Sequence, residues 1–138
     1  MASIVRRIVE TSMAPKALGP YRQDTQAVIV DKTMYISGQL GLIPETLELV
    51  PGGVEAETEQ TLKNMKALLQ SVGADMGNVV KTTVLLDDIN DWPKVNVVYA
   101  KYFTSHHPAR AAFQVAALPK GGKVEMEAVA VIGDIKDE

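Results

Sequence analysis

Hydrophobic positions recur along this chain with two different periods, and the switches between them mark its elements. Residues 4–9 (IVRRIV), 27–31 (AVIVD) and 33–37 (TMYIS) are rich in β-branched side chains and predict strands, with Asp31-Lys32 as a tight turn between the last two. From Val54 the period lengthens. Val54, Thr58, Thr61, Leu62, Met65, Leu68, Leu69 and Val72 fall on one helical face, while Glu55, Glu59, Lys63, Lys66 and Gln70 lie away from it. Gly52-Gly53 precede that helix, and Gly73 stands where it can cap the end. NVVKTTVLLDDIN returns to a strand pattern, and DWPKVNVVYAKYF carries Trp92, Val95, Val98, Tyr99 and Tyr102 at helical spacing behind Asp91 as N-cap. Strands at 110–117 and 123–132, joined by LPKGG, complete the order β-β-β-α-β-α-β-β, which predicts one sheet backed by two helices. The uncovered sheet face reads as apolar and alanine-rich, so burial against further copies of the chain in a closed ring is expected.

At 138 residues, of which 46% are hydrophobic, the chain has the size of one compact domain, 1–138. A formal net charge of -3 supplies no overall positive field, so nucleic acid is not the expected main partner. The absence of cysteine excludes disulfides, thiolate metal ligands and a thiol nucleophile. MASIVRRIVE lacks the apolar core of a secretory signal, and no run approaches the roughly 18 apolar residues of a membrane span. A soluble, intracellular protein is expected.

Any chemistry must then use other groups, and one stands out. HHPARAAFQVAALP is an apolar, strand-like run with Arg110 almost at its start. Strand alternation puts Arg110, Ala112, Gln114 and Ala116 on one face and Ala111, Phe113, Val115 and Ala117 on the other. Small neighbours leave the guanidinium fork open to a planar anion such as a carboxylate; a structural ion pair or a rim charge is the plainer use. On the last strand, Glu125 and Glu127 share a face with Lys123, Val129 and Val131. One of these carboxylates can position or activate a water if burial raises its pKa, against the plainer reading of two solvated edge charges. Were residues 110–132 a simple hairpin, Glu125 would sit roughly 16 Å from Arg110, so another strand or subunit must intervene if they share a site.

GPYRQ offers the Tyr21 hydroxyl from a loop fixed by Gly19-Pro20, with core cover as the alternative. ISGQLG ends a strand at Ser37-Gly38-Gln39, where Gly38 lets backbone N–H groups approach a ligand or simply turns the chain. Asn96 flanks the apolar stripe of the second helix, where it binds a ligand or a neighbouring loop. Adjacent His106-His107 have no metal-ligand spacing and make no Ser-His-Asp arrangement. PKGGKVE is not a phosphate loop, and GADMG is not a dinucleotide fingerprint. The six methionines are scattered, as core fillers would be.

APKALGPYRQ, MYISGQLGL, VVKTTVLLDDINDWPKVN and YFTSHHPARAAFQVAALPKGGKVEMEAVAV resemble the RidA/YjgF family in order and spacing, over nearly the whole chain. Members are also described as perchloric-acid-soluble or heat-responsive translation-inhibitor proteins, and the likeness is greatest to the animal branch. The resemblance implies a chorismate-mutase-like α+β fold: a six-stranded mixed sheet covered by two helices, assembled as a homotrimer with clefts between subunits. It implies that the last strand inserts beside the strand at 79–87, which removes the hairpin obstacle. The implied activity is hydrolysis of reactive 2-imino or enamino acids, such as 2-iminobutanoate and 2-iminopropanoate, to 2-oxo acids and ammonia. That reaction protects pyridoxal-phosphate enzymes and uses no metal or cofactor.

By the resemblance, Arg110 clamps the substrate carboxylate and Glu125 positions the water, with Tyr21, Ser37, Gly38, Asn96 and Ala112 as binding residues. Many microbial members have cysteine where this chain has Ala112, so no thiol takes part here. Asp24-Thr25-Gln26 reads as an insertion after GPYRQ. Two alternatives stand beside the deaminase: a single-stranded RNA endoribonuclease that inhibits translation, and a non-enzymatic trimeric small-carboxylate binder or holdase. A cytoplasmic location is expected, with mitochondrion and nucleus as further places the resemblance allows.

Overall fold

The computed structural model describes residues 2–17 and 25–138. Its strands are β1 (Arg6–Val9), β2 (Ala27–Val30), β3 (Thr33–Leu40), β4 (Val79–Leu86), β5 (Ala109–Gln114) and β6 (Val124–Val131), with helices α1 (Val54–Ser71) and α2 (Trp92–Tyr102). They form one sheet in the order β1-β2-β3-β6-β4-β5. Every neighbouring pair is antiparallel except β4 with β5, which is parallel. This is the α+β mixed sheet that the resemblance implied, with β6 slotted between β3 and β4 and away from β5.

Local chemistry explains the element ends. Asp31 takes the left-handed conformation (φ 57) that lets Val30 pair with Thr33 across a two-residue turn. Gly53 (φ 89) opens α1 and Gly73 (φ 79) follows its last turn, both in a region that L side chains avoid. The expected face of α1 is buried from Val54 to Leu69, with Val72 half-buried just past the helix end, and the Thr58 and Thr61 hydroxyls are satisfied by donating to Val54 O and Glu57 O, each at 2.7 Å. Met34, Met65 and Met126 are fully buried among these elements and fill the core as expected, whereas Met13, expected there too, is exposed. Asp91, expected to cap α2, makes no side-chain cap; the preceding turn is capped instead by Asp88, which accepts from Asn90 N at 2.9 Å.

Alternation divides the sheet into two faces. Thr82, Val84 and Leu86 of β4 and Val124, Met126, Ala128 and Ala130 of β6 point into the core beneath the helices. The opposite face is open, with Ile8, Tyr35 and Phe113 exposed at 60%, 53% and 49%. It carries β-branched and aromatic side chains, but Glu125, Glu127 and Lys81 share it, and it is not the alanine-rich face expected, because Ala128 and Ala130 point inward. One irregularity matters for the site. The register of β3 against β6 shifts between Ile36 and Gln39, so the strand runs through a bulge at Ser37-Gly38 and on to Leu40 instead of ending there.

Candidate active site

The residues singled out in the sequence gather into two clusters, one on each face of the sheet. The first is on the open face. Glu125 stands opposite Leu40 on one side and Leu85 on the other. A Cβ added at Gly38 would overlap Glu125 Oε1 and lie 2.9 Å from its Cδ. The Glu125 carboxyl thus occupies the space that a side chain at position 38 would fill. That carboxyl is half-buried and accepts no hydrogen bond from another described residue; burial first, and the like charge of Glu127 second, push its pKa up.

A cleft of about 340 Å³ surrounds this group, walled by Lys16, Gln26, Ser37, Leu40 and Pro119. Gln26, read above as part of an insertion, builds the wall. Its buried amide donates to Thr11 O, Ala14 O and Pro15 O at 3.0, 3.1 and 2.8 Å, and its Oε1 accepts from Thr11 N at 2.6 Å. Ser37 Oγ donates to Thr25 O beside it. From the sequence, a glutamine before a strand carries no signal of this role, because the carbonyls it serves lie eleven to fifteen residues upstream. Glu57 is a second unforeseen support: buried on α1, it accepts from Lys123 N at 2.9 Å and fixes the chain where it enters β6. Tyr21 lies outside the described residues.

The second cluster is on the helix side. Arg110 pairs with Thr82 on β4, and Nη1 donates to Asn96 Oδ1 of α2 at 2.9 Å. Its neighbours along the strand are small, as expected, yet the guanidinium is not without bulk around it. It lies over the Trp92 and Tyr99 rings, 4.4 and 4.6 Å from their centroids. Ala112, two residues on, packs against the core. A cleft of about 490 Å³ opens here, lined by Asn96, Tyr99, Phe103, His107 and Arg110.

Among the described residues Lys66 pairs with Asp75 and His106 lies beside Asp137, and Arg110 is in neither contact. The arginine charge is thus not cancelled by a carboxylate among these residues. Burial raises the pKa of the Tyr99 hydroxyl, against the opposing pull of its hydrogen bond with Thr82 and of the Arg110 charge. Among the described residues no three His, Asp or Glu side chains gather closely enough to hold a metal ion.

Within one chain the two clusters do not meet. Arg110 and Ala128 flank Thr82 in one row, while Glu125 is three residues further along β6. Strand spacings put the two residues roughly 14 Å apart, with side chains on opposite faces. One cluster thus holds a cation free to bind an anion, and the other a carboxyl whose pKa is raised by burial and by Glu127.

Residues 11–132 match the family model described as Endoribonuclease L-PSP. A goat (Capra hircus) relative named 2-iminobutanoate/2-iminopropanoate deaminase is 59% identical over 135 residues, covering 98% of this chain and 96% of its own. Among solved structures, RidA from the Antarctic bacterium Psychrobacter superposes with a TM-score of 0.85 at 46% identity, over 91% of this chain and 99% of that one. TdcF of E. coli, solved with bound serine, gives 0.84 at 38% identity, over 92% and 99%. No helix among the described residues is long and apolar enough to cross a membrane. Matches of this length and identity leave one assignment: the chain belongs to the RidA/YjgF family, whose model bears the name Endoribonuclease L-PSP.

Proposed function

We propose that this chain, as one domain over residues 1–138, hydrolyses 2-iminobutanoate and 2-iminopropanoate to the 2-oxo acids and ammonia, in clefts shared between copies of a homotrimer. The observation that carries the reading is the split site: an uncancelled arginine on one sheet face and a carboxyl of raised pKa on the other. A second copy docked on the open face brings the Arg110 side of one chain to the Glu125 side of the next. The exposed Ile8, Tyr35 and Phe113 supply the apolar surface for that contact.

In the joined cleft Arg110 grips the substrate carboxylate through two parallel N–H donors, which sets C2 in place for attack. Asn96, Ser37, Tyr21 and the backbone at Gly38 and Ala112 complete the binding surface. Glu125 accepts a proton from water as the oxygen adds to C2 of the protonated imine. The same carboxyl returns that proton to nitrogen and takes the proton of the new hydroxyl as the C=O forms and the C–N bond breaks; ammonia then takes that proton from Glu125 and leaves as ammonium, with the 2-oxo acid behind. The goat relative's name and the serine held by TdcF, an amino acid with the same carboxylate, support the substrate class. Removal of such imines spares pyridoxal-phosphate enzymes from attack by them. A cytoplasmic location belongs to this proposal; the relative from Arabidopsis thaliana is named chloroplastic, so cell fractionation is the appropriate test.

Subunit mixing tests the shared site. Threonine dehydratase generates 2-iminobutanoate, and its disappearance is followed with wild type, Arg110→Ala, Glu125→Ala and trimers assembled from both variants together. Each variant alone is expected to be inactive, and the mixture to regain about a quarter of wild-type activity, because random assembly pairs two intact halves at that share of interfaces. Light scattering should give three times 14.9 kDa. A monomer, or a mixture as inactive as its parts, overturns the shared site; full activity in either single variant overturns its assigned residue.

A further inference from the structure

We infer that Trp92 and Tyr99 are positioning residues for Arg110: two aromatic rings on α2 hold its guanidinium in one place without neutralising it, leaving N–H donors free for the substrate carboxylate. The inference rests on the reading of Arg110 as the carboxylate clamp. Arg110 sits on an edge strand and is solvent-exposed, a setting in which a long side chain samples many rotamers. A partner carboxylate would fix it but cancel the charge that substrate needs. Ring faces attract the cation through their quadrupoles and occupy none of its in-plane donors. Asn96, a neutral acceptor, takes a single N–H.

The spacing on α2 makes this a built feature. Trp92, Asn96, Tyr99 and Phe103 recur at helical intervals, and the Phe103 ring backs Tyr99 with 4.5 Å between centroids. Tyr99 is further anchored through its hydroxyl to Thr82 Oγ1 at 2.7 Å, and Thr82 is the strand partner of Arg110 itself. The arginine is thereby held from the helix above and the strand beside it. In the sequence both aromatics read only as the apolar stripe of a helix.

Trp92 is the chain's one tryptophan, so its fluorescence reports on the clamp directly. The probes are 2-oxobutanoate, the stable product, for calorimetry and fluorescence, and dehydratase-generated 2-iminobutanoate for kinetics. Saturable 2-oxobutanoate binding should perturb Trp92 emission in wild type and leave it unchanged in Arg110→Ala. Trp92→Leu should raise KM and the 2-oxobutanoate Kd roughly tenfold, with kcat within about twofold, since the carboxylate is gripped in ground and transition states alike. Trp92→Phe, which keeps a ring, should recover most of the loss.

If wild type turns over the imine and Trp92→Leu keeps the wild-type KM and Kd, the clamp is wrong while the deaminase stands. Equal losses in Trp92→Leu and Trp92→Phe also sink it, because packing alone would then explain them. Ligand binding that shifts Trp92 emission without imine turnover upholds the clamp and overturns the deaminase. A wild type that neither binds 2-oxobutanoate nor hydrolyses the imine overturns both.

Discussion

A methyl group added at Gly38 asks whether the Glu125 carboxyl acts from where it lies. Built on the backbone, that methyl would overlap Glu125 Oε1 and stand 2.9 Å from Cδ and 3.3 Å from Cγ. Optimal carbon contacts are about 3.5–4.0 Å, so the carboxyl has to retreat by about 1 Å. The backbone is spared. The atoms reached belong to a side chain that can swing, and Gly38 is not among the glycines of positive φ.

Replacing glycine where alanine fits stabilises by about 0.4–1 kcal/mol through the unfolded chain. An off-rotamer glutamate costs about 0.5–1.5 kcal/mol. The two nearly cancel, so Tm should move by about 4 °C at most. Catalysis has no such compensation, since a misplacement of about 1 Å is worth about a hundredfold. Gly38→Ala should therefore fold as wild type by scanning calorimetry and lose about a hundredfold in kcat/KM in the dehydratase-coupled assay. Adding Gly38→Ala to Glu125→Ala should cost little more, since both changes remove one group's action. Wild-type turnover in a well-folded Gly38→Ala protein would refute the reasoning, as would fully additive losses in the double variant.

Three other predictions follow from groups around the same cleft. Burial and Glu127 raise the Glu125 pKa, so the folded chain keeps that proton to higher pH than the unfolded chain, and stability present at low pH is lost as pH rises through the raised value. Glu125→Gln should accordingly have a higher Tm than wild type near pH 7 and an equal one near pH 3, and an unchanged difference across that range would contradict the assignment. In the rate profile, the acidic limb of kcat/KM should lie above the ordinary carboxylate range and move down in Glu127→Gln. Gln26→Leu strips buried carbonyls of their donor and should lower stability by about 2–4 kcal/mol in urea titrations. An unchanged midpoint would mean that the 11–15 segment is held by other contacts.

The fold was legible where local chemistry and global packing agree. The period of α1, the Asp31-Lys32 turn and the alternation of β5 and β6 each follow from side chains that answer to their immediate neighbours. What failed was decided at longer range. β3 was expected to stop at Ser37-Gly38, since Ser-Gly is a usual place to turn, but pairing with β6 outweighs that preference and carries the strand through a bulge to Leu40. The insertion of β6 between β3 and β4 could not come from strand patterns, which record faces and not neighbours; only the family resemblance supplied it. Gln26 and Glu57 were invisible for a similar reason, because the backbone groups they satisfy are remote in sequence.

Arg110 and Glu125 could be singled out from the sequence as candidates, but the surroundings of Arg110 were misread. Alternation correctly gave Arg110 small neighbours on its own strand, and small neighbours suggested an unsupported fork. The support comes from another element, as Trp92 and Tyr99 reach down from α2. That difference decides the chemistry. An arginine loose among alanines would spend binding energy on being ordered, whereas one already stacked meets a carboxylate with its geometry set and its charge intact. The same alternation separates Arg110 and Glu125 onto opposite faces of the sheet, a separation that side-chain motion cannot undo without breaking strand pairing. If both act on one small substrate, then the unit of function is larger than the chain, and the open apolar face is part of the active site's construction.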